Sequence, residues 1–313
     1  MNAPRRHHFV PRFSLAYFAG ADGLVWVYDA ETDTPRPSTP DATGFERDFH
    51  TVTNEDGARD TTLETMLAGL EGAVAPIYAR MVKRELPKGD DRTMMAQFLA
   101  IAYVRSKRMR RTYGEGYGQA MQVVLQRMAE SKQAFAAALA DVEAEQVLNL
   151  SDEERETLRH EMGDWSKYRL SVDREFTLGA FGLAGPITPL IHEMRWSLLT
   201  SEDGSFVLSD SPLFKSGAGF ATSETMVSLP LSPHTMWMGH WRNDLPEHAS
   251  LTAERVEGFN LMRAAGADRY LYAPREDAAL MAFTKQYVKP RPGWKIGDGD
   301  ASKLAPVDIR RKR

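Results

Sequence analysis

Apolar residues recur at helical spacing through the middle of the chain and at β-type spacing before and after it. Leu63, Met66, Leu67, Leu70, Val74 and Ile77 follow a 3.6-residue period and predict a helix from about Asp60. Thr61 or Thr62 can cap it, Glu64 falls in its first turn, Pro76 is a point of kinking, and Pro87-Lys88-Gly89-Asp90 ends it. Met94, Phe98, Ile101 and Ala102 predict a second helix from Asp91 to Arg111. A weak break at Tyr113-Gly114-Glu115-Gly116-Tyr117 follows, then helix to about Ser131, and an Ala- and Glu-rich helix over 133–146. Ser151-Asp152-Glu153-Glu154 starts another, its acidic first turn matched to the helix dipole. Residues 172–194 are mainly helical, with a break near Gly185-Pro186.

On either side the period changes. Leu24-Val25-Trp26-Val27-Tyr28 follows the turn signal Asp22-Gly23 and reads as a strand, and Phe49 to Thr53 as a second short one. Thr32 to Gly44 is Pro/Thr/Asp-rich and reads as loop. Trp196–Thr200 and Ser205–Ser209 read as a hairpin around Glu202-Asp203-Gly204. Thr225–Pro230 and Thr235–His240 read as two more strands joined at Ser232-Pro233-His234. A helix over Ala253–Ala264 and a returning strand over Arg269–Ala273 complete the pattern. The expected fold is α+β: a mostly helical core with a short N-terminal β element and a C-terminal antiparallel β-sheet. A single domain over 1–295 and a peripheral basic tail over 296–313 are expected. Packing the N-terminal β element on the C-terminal sheet would bring His7 and His8 near Asp210.

Composition narrows the chemistry. A chain of 313 residues, 42% hydrophobic and 26% charged, is an ordinary globular one. The net charge of −4 gives no global attraction to nucleic acid or an anionic membrane. With no cysteine, disulfides, thiolate zinc sites, iron–sulfur clusters and a cysteine nucleophile are excluded. No apolar run has membrane-span length and no signal-peptide core follows Arg5 and Arg6, so a cytoplasmic protein without membrane association is expected. High Arg, Ala, Gly and Asp usage fits a bacterial source.

Candidate chemistry concentrates at His7-His8-Phe9-Val10-Pro11-Arg12-Phe13. Imidazoles bind metals or move protons near neutral pH, and Arg12 can hold an anion. Neighbours on a strand face opposite ways, so one histidine would face a site and the other brace the backbone. A solvated tail is the plain alternative, which the flanking Phe9, Val10, Phe13 and Leu15 disfavour. Asp210, in Ser209-Asp210-Ser211-Pro212 at a strand end, is a candidate base, histidine-orienting group or metal ligand; the alternative is a turn-closing aspartate. Glu71, at the edge of an apolar stripe, needs a partner, and Arg105 can supply it, so a structural Glu71–Arg105 pair competes with a catalytic Glu71. Arg105, Lys107, Arg108, Arg110 and Arg111 form a cation run that can bind phosphates, although most such runs are solvated faces. No His-x-x-x-His pair, Walker motif or Gly-x-Ser-x-Gly elbow is present.

The opening His7-His8-Phe9-Val10-Pro11-Arg12-Phe13-Ser14-Leu15, with Phe18-Ala19, resembles the family called domain of unknown function 4238, whose members begin His-His-x-x-Pro-x-x-x-Leu. Trp196 with Phe206–Pro212, Leu229-Pro230-Leu231-Ser232-Pro233, and Asn260 before Ala267-Asp268-Arg269-Tyr270 resemble the same family in order. The likeness spans residues 7 to about 273. Glu64 and Glu71 resemble acidic positions in the family's first long helix.

Two functions are expected from these residues. One is a metal-assisted phosphodiesterase or nuclease, with His7, His8, Arg12, Asp210 and Glu71 as catalytic candidates. A divalent metal (Mg, Mn or Zn) would then sit on His8 and Asp210, with nucleic acid as partner. The resemblance to His-Asn-His nucleases is short, because no Asn and His follow His8 within one compact unit. The other is a noncatalytic nucleic-acid- or protein-binding component of a bacterial toxin or anti-phage system.

Overall fold

The structure, a computed structural model, describes residues 6–47, 52–53, 59–146, 149–163, 179 and 181–289. They fall into two compact units, one within Met1–Arg110 and Asp173–Arg291, the other within Arg111–Val172. The first unit opens with β1 (Arg6–His8), α1 (Arg12–Ala16), β2 (Val25–Asp29), β3 (Arg36–Ser38) and β4 (Phe45–Arg47). After β5 (Val52–Thr53) and β6 (Arg59–Asp60) come α2 (Thr62–Val82) and α3 (Gly89–Val104). Helix α4 (Lys107–Glu130) starts here and continues into the second unit, which adds α5 (Lys132–Gln146) and α6 (Asp152–Gly163). The chain re-enters the first unit with α7 (Ala184–Glu193), β7 (Arg195–Thr200), β8 (Leu208–Ser209) and β9 (Phe214–Lys215). It continues as β10 (Met226–Ser232), β11 (Thr235–His240), β12 (His248–Ser250), α8 (Ala253–Gly266), β13 (Tyr270–Ala273) and α9 (Ala278–Tyr287). The α+β expectation holds.

A five-stranded sheet, β12-β7-β11-β10-β9, is antiparallel apart from β12 on β7. One face of it meets the apolar sides of α2, α3 and α7 through Val74, Ile77, Phe98, Ile191, Trp196 and Trp237. On the other face Leu199, Met236, Met238 and Leu251 cover Val256 of α8. Pro230 cannot donate to the ladder, and the β10–β11 register shifts at Pro230/Ser232. Tyr78 of α2 donates its hydroxyl to the Pro230 and Leu231 carbonyls freed there, at 3.3 and 3.1 Å. A four-stranded sheet, β3-β2-β13-β8, joins the two ends of the unit, with Tyr28 opposite Leu271 and Ser209 opposite Leu271 on the other side. Phe9, Val10, Leu15 and Phe18 pack with Val25, Val27, Leu208 and Tyr272. The expected meeting of the N-terminal β element and the C-terminal strands is therefore a direct strand pairing.

Several expected elements are revised. The Thr32–Gly44 stretch holds β3 and a 3-10 turn over Pro40–Ala42. The helix expected to reach Arg111 stops at Val104, because Ser106 caps a new one, its hydroxyl accepting the Met109 N–H at 3.1 Å. Helix α4 then runs unbroken through Tyr113–Tyr117, whose glycines a helix of this length tolerates. The expected hairpin around Glu202-Asp203-Gly204 is a crossover, with β7 in one sheet and β8 in the other. Gly204 is pressed on α8, where a Cβ would lie 2.9 Å from Val256, and Phe206 N–H donates to Pro233 at 2.8 Å. The chain is turned away before β8 can pair with β7. Helix α9 was not expected; Asp277 caps it, accepting from the Ala279 and Leu280 N–H groups. In the second unit, Ser151 and Glu154 form the expected reciprocal cap of α6. The tail over 296–313 lies outside the described residues.

Candidate functional site

Strand β1 separates the two histidines as its alternation requires, His7 fully buried and His8 half-buried. It pairs antiparallel with β4, His7 opposite Glu46 and His8 opposite Phe45. Just beyond, the Phe9 and Val10 N–H groups both donate to the Gly44 carbonyl at 2.9 and 3.2 Å. Gly44 has φ +68°, and a Cβ there would stand 2.7 Å from Leu15 Cδ1, so the latch beneath the histidines needs glycine.

The Pro40 backbone favours the protonated His8 ring and so works against the effect of burial. The ring's Nε2 is buried without a hydrogen-bond partner. Burial holds the His8 pKa below its ordinary 6.5; the charges of Glu71 and Asp41 oppose this, and Arg12 adds to it.

Helix α2 supplies two carboxylates two turns apart on one face. Glu64 Oε2 stands 3.8 Å from His7 Nδ1, an ion-pair separation, and has no hydrogen bond. Burial raises the Glu64 pKa above 4.5; His7 opposes that shift, Glu71 adds to it and Arg105 opposes it. Glu71 Oε1 accepts from Arg105 Nη1 at 2.6 Å, the pair foreseen between the two helices. Arg105, at the end of α3, is only 2% exposed, yet its Nε and Nη2 have no acceptor. Those two N–H groups form the edge of a guanidinium that takes a carboxylate or phosphate side-on.

Four buried polar atoms without a hydrogen-bond partner, His8 Nε2, Glu64 Oε2, Arg105 Nε and Arg105 Nη2, thus fall on three side chains, and Glu71 acts on each of the three by charge or by hydrogen bond. Protein interiors pair such groups almost without exception.

The other candidates lie differently. Arg12 is exposed and pairs with Asp41 at 2.8 Å, so it acts on His8 only through charge. Asp210 is fully buried at the end of β8. Its Oδ1 accepts the Asp268 N–H at 2.8 Å and its Oδ2 the Arg269 and Tyr270 N–H groups at 2.7 and 3.0 Å. That is the geometry of a turn-closing aspartate ahead of β13. Among the described residues no three His, Asp or Glu side chains come together as a metal-binding group.

The cation run is spread over several environments. Lys107 pairs with Glu46 at 2.9 Å and lies 4.6 Å from the Phe9 ring. Arg108 reaches the Ala265 carbonyl at 3.5 Å. Burial pushes Arg110 below its ordinary pKa, against the charge of Glu46. The Arg111 side chain lies outside the described residues. The remaining histidines described in contact are structural braces: His240 between Ser197 and the Arg242 carbonyl, His234 on the Ser201 carbonyl.

Sequence reasoning undervalued Glu64, read as a helix-start residue, and passed over Asp41 and Glu46. The seven-residue spacing of Glu64 and Glu71 was a usable signal. The β1–β4 register, which brings Glu46 opposite His7, has no local signature.

Among the described residues no helix is long and apolar enough to cross a membrane. A family model described as Protein of unknown function (DUF4238) matches residues 6–277. No curated protein and no solved structure matches the chain.

Proposed function

The chain belongs to the DUF4238 family, and from the site of this member we infer a phosphodiester hydrolase that works by acid–base chemistry. The observation that carries the reading is the pair of buried, unpartnered groups, His8 Nε2 and the Nε–Nη2 edge of Arg105, on two side chains that both feel or bind Glu71. A base operating near neutral pH must be unprotonated and have a lone pair available, and burial favours both. Arg105 Nε and Nη2 would hold two non-bridging phosphate oxygens. His8 Nε2 would take a proton from water as its oxygen attacks phosphorus. Glu64, with its raised pKa, would give a proton to the departing oxygen, leaving a phosphomonoester and an alcohol. Nucleic acid is the substrate class the neighbouring Lys107, Arg108 and Arg110 favour.

A divalent metal joining His8 and Asp210 belonged to the expected scheme. The donor set does not fit it: Asp210 spends both oxygens on backbone N–H groups, and among the described residues no three His, Asp or Glu side chains form a metal-binding group.

The noncatalytic reading rests on a different observation, the individually satisfied Asp210 and the exposed Arg12–Asp41 pair. The deciding assay is hydrolysis of bis(4-nitrophenyl) phosphate and of single-stranded DNA by the full chain, by His8→Ala and by Arg105→Lys. We expect both variants to stay folded by circular dichroism and lose roughly 100-fold or more in kcat/KM. Equal rates in wild type and variants, or none above blank, would leave the binding reading.

A further inference from the structure

A second place in the first unit is shaped for a ligand and shares no residue with the histidine cluster. A cleft of about 700 Å³ opens between the start of α8, the loop before β8, and α9. That volume suits a small organic molecule. Its floor is apolar, formed by Val207, Val256, Leu280 and Phe283, with Leu261 at 40% exposure by the mouth. Asn260 lies in the wall, fixed by the Val207 N–H at 3.0 Å and the Ser205 carbonyl at 2.8 Å.

The charge lining the cleft is mostly negative. Asp203, Glu254, Glu257 and Asp277 line it against the single cation Arg275. Asp277 is engaged in capping α9. Asp203, Glu254 and Glu257 have no ion-pair partner among the described residues. Low-dielectric walls below such a rim focus its field on whatever enters.

Gly258 supplies a separate observation. It sits inside α8, where glycine weakens a helix relative to alanine, and it is not in the left-handed region. A Cβ there would meet nothing within 4 Å. Packing therefore does not demand this glycine, and because it lines the cleft a larger side chain there has room to occupy the space.

The geometry points to a binding site for a small amphipathic cation, a flat or aliphatic body on the Val207–Phe283 floor and an ammonium or guanidinium head at Glu254, Glu257 and Asp203. Phe283 and Tyr287, packed on each other with ring centroids 4.8 Å apart, also line the cleft and supply aromatic surface for that body.

Tryptamine is the probe, with its neutral isostere tryptophol and the anion indole-3-propionate as comparisons, each titrated into the full chain and followed by amide NMR. Tryptamine is expected to move the signals of Val207, Leu261 and Leu280, and tryptophol to bind at least about tenfold more weakly. Glu254→Gln/Glu257→Gln is expected to erase that preference. Gly258→Leu fills the cleft with a better helix former, so it is expected to abolish binding while the melting temperature does not fall. Unmoved cleft signals, equal binding of tryptophol, or undiminished binding by folded Gly258→Leu each overturns the assignment.

Discussion

Arg105 and Glu71 meet at 2.6 Å with the arginine side chain 1% exposed and the glutamate 23%. The cation has left water and the anion has not. Removing the anion leaves a charge with no solvent and no partner. Glu71→Ala is accordingly expected to cost about 3 kcal/mol or more, read from urea unfolding. Arg105→Met/Glu71→Leu is expected to recover most of that loss, since an apolar pair needs no compensation there. Equal instability of the single and double variants would contradict this account.

Asp210→Asn tests the turn that leads into β13. The carboxylate accepts three backbone N–H groups, and an amide must present N–H to at least one of them. A loss of about 2–3 kcal/mol is expected. Hydrogen exchange should quicken at Asp268, Arg269 and Tyr270 before the rest of the chain. Unchanged protection there would remove Asp210 from its structural role.

The histidine site has opposed pH responses built into it. His8 has a folded pKa below 6.5, so the unfolded chain takes the proton first. Its contribution to stability is full above 6.5 and is lost as pH falls toward the folded value. Glu64 has a folded pKa above 4.5, so its contribution is full below 4.5 and is lost as pH rises through the folded value. His8→Gln is expected to flatten the stability curve just below pH 6.5. In NMR titrations Asp41→Asn should move His8 lower still, because the Asp41 charge props it up. A His8 midpoint at or above 6.5 would contradict the burial that the site depends on.

Gly44→Ala probes the latch under the histidines. The φ of +68° disfavours alanine by about 1–2 kcal/mol, and the new methyl would collide with Leu15. A total of about 2–3 kcal/mol is expected by thermal or urea unfolding. His8 resonances should broaden as β1 loosens from β4. A neutral substitution would mean that the latch does not hold β1.

What was legible in the sequence was local. The Leu63–Ile77 period defined α2 because its buried face follows one helical repeat. The β10–β11 hairpin and β13 carried their own turn chemistry and β-branched or aromatic content. The Glu71–Arg105 pair was also readable, since a carboxylate on an apolar flank calls for a cation on the next helix. Less local features were not. The Ser106 cap is one hydroxyl inside a run of cations, and it decides where α3 ends. The parting of β7 from β8 depends on Gly204 lying against Val256, more than fifty positions later. Asp210 and His8 looked alike as candidates because both flank apolar strands. Only the folded chain separates a carboxylate facing three amides from an imidazole with a free nitrogen.

The sandwiching of β13 between β2 and β8 sets an order on biosynthesis. Phe9, Val10 and Val27 share their packing with Tyr272, so a segment made early waits for one made much later. While the ribosome works through the intervening residues, the histidine strand can meet β4 and Glu64 of α2 but not β13. Contacts that span so much chain close slowly. A nascent chain halted before residue 270 would carry that apolar segment uncovered and depend on chaperones for it.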